Sequence, residues 1–278
     1  MLKELVRQKK ARLGLAAVGV LLLICLLAPL LAPNDPYKVN ILRKLAAPCA
    51  EFPLGTDQLG RCVLSRLIWG ARLTLSSAVT ATALMLLIGV PLGIAAGFCG
   101  GWVDSLIMRV TDVASSLSPS LLALAVVGLW GPSLANIVAV FAALWWAMFA
   151  RVVRGAALEV MQRDYVTAAV AAGCGRLSIA VRHVLPNVLS PVVVLAALRI
   201  GTVITHLASF SFLGLGAQPP AADWGVMLSD CRPYLSTRPL MILWPGAAIM
   251  SSVLAFHLFG EGLNAALHPR REGGTSDD

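Results

Sequence analysis

The side chains able to do chemistry are few and far apart. Four histidines, His183, His206, His257 and His268, are too dispersed for a local metal motif. The cysteines at 25, 49, 62, 99, 174 and 231 fall in different segments and form no C-x-x-C. No lysine follows a glycine, so the G-x-x-x-x-G-K-[ST] phosphate cradle is missing. H-E-x-x-H and G-x-S-x-G are absent too. The sharpest anomaly is Arg199. It lies 13 residues after Pro186 in an apolar run, about 20 Å deep at about 1.5 Å per residue. An arginine at that depth faces a bundle interior or water. It could meet an anionic group there. It could equally pair with a buried acid or backbone carbonyls. His206 follows in the same run. Imidazole can ligate a transition metal, but a buried histidine bonded to a neighbouring helix is the commoner arrangement. Met85, Met108 and Met250 read as packing residues.

These groups sit in an unusually apolar chain. Of 278 residues 58% are hydrophobic and 13% charged, with a mean hydropathy of +0.81. Soluble domains run near 45–50% apolar and about 25% charged. The composition argues against a soluble enzyme and excludes disorder and a disulfide scaffold. It predicts an all-α polytopic membrane protein. The net charge of +8 is scattered between apolar stretches, which fits a cytoplasmic membrane face better than nucleic acid.

Six transmembrane helices are predicted, over 13–31, 73–98, 113–130, 133–150, 187–212 and 240–259. The third helix begins near Asp104, which puts Arg109 and Asp112 near one end. The first could be a cleaved signal peptide. Its apolar run is long for one, however, and Pro29, Pro33 and Pro36 follow it, so an uncleaved span is preferred. Residues 1–72 then hold a tail, the first span and an external segment. Residues 73–269 hold a five-helix core, and 270–278 a second tail. Leu64, Leu67, Ile68, Ala71 and Leu75 recur at helical spacing, with Arg61, Ser65 and Arg72 on another face. That segment would lie in the membrane interface or pack on the bundle. Orientation follows the basic residues. Lys3, Arg7, Lys9, Lys10 and Arg12 precede the first span. The 151–182 loop carries Arg151, Arg154, Arg163, Arg176 and Arg182, and the C-terminal tail Arg270 and Arg271. Both termini are therefore predicted to be cytoplasmic, although Lys38, Arg43, Lys44, Arg61, Arg66 and Arg72 crowd the first external loop. Cys49, Cys62 and Cys231 then face outward, where a bridge is possible.

The 151–186 loop is the most informative segment. Residues 156–172 are alanine-rich and helix-favouring, with Leu158, Met161, Tyr165 and Ala169 on one face. Gly173 and Gly175 suit a helix stop, and Ser178 could cap the next helix. A helix, a glycine turn and a second helix would project from the membrane, with an exposed end able to dock in a partner's groove. A solvated linker is the alternative, but a linker needs no apolar face or glycine corner.

The same loop carries a resemblance. Asp164-Tyr165-Val166-Thr167-Ala168-Ala169, then Gly173, then His183-Val184-Leu185-Pro186-Asn187, resembles the EAA signature of ABC importer permeases, with Thr167 in place of the glutamate. Leu54-Gly55-Thr56-Asp57-Gln58-Leu59-Gly60-Arg61 resembles the L-G-T-D-x-x-G-R-D segment of peptide and nickel permeases, with Cys62 in place of the last acid. Ser211-Phe212-Leu213-Gly214-Leu215-Gly216, Pro219-Pro220 and Asp223-Trp224-Gly225 resemble the external end of span five in that group. Together they identify a member of the dipeptide, oligopeptide and nickel permeases, C type.

The resemblance implies a MetI-like importer core in the last five helices. It assigns ATPase coupling to Asp164, Tyr165, Ala168, Ala169, Gly173, His183 and Pro186. It implies a second permease of B type, two ATP-binding subunits and a periplasmic or extracellular binding protein. No cofactor is expected on this chain, and ATP and Mg belong to the partners. The expected place is the bacterial inner membrane, among lipid and away from nucleic acid. Trp224–Met227, Trp244-Pro245-Gly246 and His206 look most like the nickel permease, with a dipeptide permease as the alternative. A secondary transporter would instead need acids at the midplane, and the spans lack them.

Overall fold

The computed structural model describes residues 9–267. The tail at 270–278, His268, Lys3 and Arg7 lie outside the described residues. The described chain is helical: α1 Lys9–Leu26, α2 Ala28–Leu31, α3 Val63–Cys99, α4 Gly101–Ser116, α5 Pro119–Trp130, α6 Leu134–Met161, α7 Asp164–Ala171, α8 Arg176–Ile179, α9 Leu185–Phe212, α10 Trp224–Cys231 and α11 Leu240–Leu267. No strand is assigned among the described residues, only one isolated bridge between Thr56 and Cys62.

Four unbroken segments are long and apolar enough to cross a bilayer: α3, α6, α11 and Ala180–Phe212, which joins a π-helical turn to α9. The other two expected spans are broken. The 113–130 segment is α4 and α5, bent by 77°. Leu117 and Ser118 are extended there, and Pro119 opens α5. A proline pushes its predecessor out of the helical region, so Ser118-Pro119 was the signal for the break. The 13–31 segment divides at Leu27 into α1 and the single turn α2. Pro29 supplies no N–H for the carbonyl of Cys25 and clashes with it.

Two further expectations need correction. The 64–75 segment is no separate interfacial helix but the first third of α3, 37 residues long. Arg61 and Ser65, expected on a polar face, are buried, as is Arg66. The fourth span does not stop at Ala150 but runs to Met161.

Small residues set the helix packing. Gly89, Gly93 and Gly97 form a stripe at every fourth position of α3. A Cβ on Gly93 would meet Ala150 O and Val153 Cβ, both at 2.6 Å, and one on Gly97 would meet Ala157 Cβ at 2.8 Å. With no hydrophobic drive between helices in lipid, such close backbone approach supplies the van der Waals contact that holds them. Gly14 of α1 and Gly262 of α11 do the same for a second pair. Their Cβ atoms would lie 2.3 Å from Phe259 N and 2.4 Å from Ala11 Cα. The main core gathers Met85, Ile137, Phe141, Ile204, Leu207 and Trp224. A smaller cluster lies at the far end, beneath α7.

Candidate coupling site and translocation cavity

The 156–172 helix expected from composition is two helices. α6 ends at Met161, Arg163 N–H bonds back to Val160 O at 3.1 Å, and α7 begins at Asp164. Glu159 and Arg163 pair across this corner at 2.5 Å. The corner turns Val166 into an apolar socket of Val153, Ala157, Val160, Ile179, Val184 and Val188. Tyr165, Thr167 and Ala168 point away from it and are exposed; Asp164 is exposed in the first turn and Ala169 half-buried. An acid there complements the helix dipole. Gly173 ends the excursion with a φ of +80° and open space around it, as a left-handed helix stop requires. Ser178 caps nothing, because it lies inside α8.

The helical return of this excursion brings three motif residues together. Asn187 Nδ2 donates to Tyr165 Oη at 3.3 Å and to His183 O at 2.7 Å. The Tyr165 and His183 rings stand 5.9 Å apart. Pro186 is exposed in the first turn of α9. Chemically the unit is a short helix, apolar beneath and exposed above, held to two long helices. Sequence reasoning put Leu158, Met161, Tyr165 and Ala169 on the apolar face and missed Val166. Its signal was the Val153, Ala157, Val160 series, which Val166 resumes after the corner.

Arg199 and His206 are not joined in one site. Arg199 faces a cavity of about 190 Å³ whose walls include Met85, Leu117, Pro119, Trp145 and Met148. The α4–α5 break forms one wall, so irregular backbone at membrane depth lies against a cavity, where it is tolerated. The guanidinium contacts Met148 Sδ, and among the described residues no acid pairs with it. His206, two turns on, bonds through Nδ1 to Thr202 O at 2.9 Å. Its ring stands edge-on to Trp145 at 4.9 Å and Phe141 at 5.9 Å. It bonds within its own helix and packs against aromatic rings of α6. Met85 is fully buried, in keeping with packing, whereas Met250 is exposed. Trp145, which touches both the cavity and His206, was missed. No group of three or more His, Cys, Asp or Glu side chains could hold a metal ion among the described residues.

At the opposite end from α7, the two remaining motifs clasp each other. Asp57 Oδ1 accepts from Leu59 N and Arg61 N at 2.9 Å, closing the turn. Arg61 bridges Asp57 at 2.6 Å and Asp230 of α10 at 3.1 Å. Arg66 donates to Pro220 O and Ala221 O at 3.3 Å. Asp223 caps α10 through Gly225 N and Val226 N and accepts from Thr74 Oγ1 at 3.0 Å. Trp224 Nε1 reaches Leu67 O at 2.9 Å. Burial pushes the Asp223 carboxyl up, and its hydrogen bonds offset this only in part. All six cysteines are free thiols here. Burial, then Asp230 and Asp57, push the Cys231 thiol up to about 12.

The sequence has known relatives. Residues 89–273 match the family described as binding-protein-dependent transport system inner membrane component. Residues 1–48 match the N-terminal TM domain of oligopeptide transport permease C. The chain is 40% identical to the nickel transport system permease protein NikC of Escherichia coli (strain K12), over 93% of each chain. It is 39% identical to the dipeptide transport system permease protein DppC of Alkalihalophilus pseudofirmus, covering 96% of this chain and 88% of the relative. It is 40% identical to the glutathione transport system permease protein GsiD of Pectobacterium atrosepticum, covering 92% and 86%. The three cargoes named there stand level in identity, so likeness selects none of them. A matched core, a matched N-terminal domain and near full-length relatives leave one conclusion: the chain belongs to the binding-protein-dependent ABC importer permeases, in the branch that includes the dipeptide, nickel and glutathione permeases.

Proposed function

We propose that this chain is the C-type half of an importer's translocation path and couples it to separate ATPase subunits through α7. The observation that carries this reading is the α7 corner: an exposed eight-residue helix, seated by Val166 and ended by Gly173, joins the ends of α6 and the α9 segment. Asp164, Tyr165, Ala168, Ala169 and Gly173 form the docking face, with His183 and Pro186 on the return. A B-type permease completes the path, two ATP-binding subunits hold ATP and Mg, and a binding protein delivers cargo to the α10 side. The chain crosses a bacterial inner membrane six times, α1–α2 and α4–α5 being the broken spans, with both termini and α7 in the cytoplasm. Basic residues around Arg151–Arg182 support that sidedness. Residues 1–72, 73–269 and 270–278 are its working divisions.

Cargo carrying a carboxylate suits Arg199, unpaired with acid in its cavity. Nickel moving as an anionic chelate is the first reading, supported by the Trp224–Met227 and Trp244–Gly246 stretches, and a dipeptide is the second. Deleting the gene and measuring uptake of radioactive nickel beside a labelled dipeptide separates them. Lost nickel uptake alone supports the first reading, and lost peptide uptake alone the second. In the purified importer, Gly173→Asp should abolish stimulation of ATP hydrolysis by loaded binding protein while assembly persists. Full stimulation in that variant would refute the coupling role.

A further inference from the structure

Between α1, the start of α3 and the start of α11 lies an apolar groove of about 540 Å³, unused by the path or the coupling loop. Leu21, Ile24, Leu64, Ile68, Trp244 and Ala247 are among its walls. At about 30 Å³ per water-sized group this is room for roughly 18 methylenes, one fatty-acyl chain. α1 ends at Leu26, and the chain turns there through Leu27 and Pro29 so that Leu31 of α2 closes one end of the groove.

Both walls run on into a second, more polar cavity of about 480 Å³. Leu31 is followed there by Ala32–Pro36, and Ile68 by Trp69. Tyr37 and Trp69 meet edge to face at 6.5 Å, the pairing of an aromatic belt at headgroup level. Arg72 lies over the Trp69 ring at 5.6 Å and is exposed. Asp35, also exposed, lines the cavity that Trp69 walls, and its Oδ1 accepts from Tyr37 N at 2.8 Å, leaving Oδ2 open. A cation and an anion thus flank an apolar slot at the level of the membrane surface.

We infer that this groove holds one acyl chain of a phospholipid whose phosphate meets Arg72 and whose ammonium head meets Asp35, as in phosphatidylethanolamine. A chain entering the groove exchanges one hydrocarbon surface for another, so burial alone retains nothing. Selectivity comes from the two charges at the mouth, because charged hydrogen bonds there exceed neutral ones. The inference rests on the membrane placement proposed above but not on the cargo or the ATPase contact.

The test uses the whole importer in nanodiscs of phosphatidylethanolamine and phosphatidylglycerol, with a trace of either lipid carrying a photoreactive acyl diazirine. Peptide mapping should place the ethanolamine lipid's label on 64–71 and 244–251. Ala247→Phe, at an exposed groove wall, should cut that label about tenfold while Leu84, Leu87 and Ile88, exposed on α3, are labelled as before. Asp35→Asn should remove the preference for the ethanolamine lipid. Undiminished groove labelling in Ala247→Phe would overturn the site. Equal labelling by the two lipids in the unaltered protein would overturn its headgroup assignment. Labelling lost at Leu84, Leu87 and Ile88 as well would show misfolding, and Ser251→Leu, one turn further along the same α11 wall of the groove, then decides the matter by the same readout.

Discussion

The α3–α6 contact offers the most exacting check on the packing argument. Gly93→Ala adds one methyl group. Its carbon would lie 2.6 Å from Ala150 O and 2.6 Å from Val153 Cβ. Comfortable carbon contacts lie near 3.5–4.0 Å, so the two helices must part by about 1 Å. Ala150 O is backbone and cannot rotate away. Overpacking of this kind costs about 1–3 kcal/mol, and alanine's better helix propensity returns about 1 kcal/mol. The net expectation is a loss of up to about 2 kcal/mol. Gly155→Ala is the matched control on α6, where an added Cβ meets nothing within 4 Å. It should gain up to about 1 kcal/mol from propensity alone. Denaturant unfolding of the purified importer in detergent measures both. If Gly93→Ala proved as stable as Gly155→Ala, the close approach would not be holding these helices, and the packing account would fail.

Other perturbations reach the remaining sites. Arg199→Gln should lower cargo uptake with unchanged expression, and normal uptake would remove Arg199 from the path. Arg61→Ala removes the nearest cation from buried Asp57 and from Asp230 but leaves Arg66 at 3.5 and 3.8 Å from them; the loss should stay below the about 3–5 kcal/mol of a buried charge left unpaired, read as a lowered unfolding midpoint. Val166→Asp puts a charge into the socket beneath α7 and should uncouple ATP hydrolysis from cargo while α10 stays protected in hydrogen exchange. For Asp223, a folded-state carboxyl raised by burial stabilises most below its ordinary value near 3.9. That contribution is lost as pH rises through the folded value. Asp223→Asn, which mimics the protonated form, should therefore show an unfolding midpoint that gains on the unaltered protein as pH rises from about 4; parallel profiles would refute the burial account.

Much of this molecule was legible before any coordinates. Long apolar runs gave four spans outright, because one residue class suffices to mark a helix that lipid surrounds. Gly173 was legible as a stop because only a glycine takes that φ cheaply. What failed was local detail decided by distant partners. Arg61 and Ser65 read as a wet face, yet the chain folds Asp230 and the 220–221 carbonyls over Arg61 and Arg66. Helical periodicity cannot register a lid that arrives from residues more than 150 positions away. The α4–α5 break was written in Ser118-Pro119 and passed over because the apolar run masked it. Val166 was overlooked because the α6–α7 corner contains neither glycine nor proline.

These corrections bear on how the two ends of the chain communicate. α6 ends directly at the α7 corner, and the α9 segment begins just after it. Both helices also wall the Arg199 cavity, α6 through Trp145 and Met148 and α9 through Arg199. Met148 lies 13 residues before Met161, and Arg199 14 residues after Leu185, so each wall stands about 20 Å from the corner along its helix. The Val166 socket takes residues from both helices, so a displacement of α7 cannot move one without loading the other. The glycine stripe ties α3 to α6, and the Asp57–Arg61–Asp230 clasp ties the start of α3 to α10. If α7 is the coupling helix proposed above, a push there would load the packed helices that wall the cavity. Rigid elements with few joints transmit such shifts without needing a dedicated pathway of residues. The α4–α5 bend of 77° also walls this cavity, through Leu117 and Pro119. If the bend is the hinge, Ser118→Ala with Pro119→Ala, which permits a straighter α4–α5, should change cavity access to a cysteine reagent at position 148 without altering ATP binding. Unchanged access would place the hinge elsewhere.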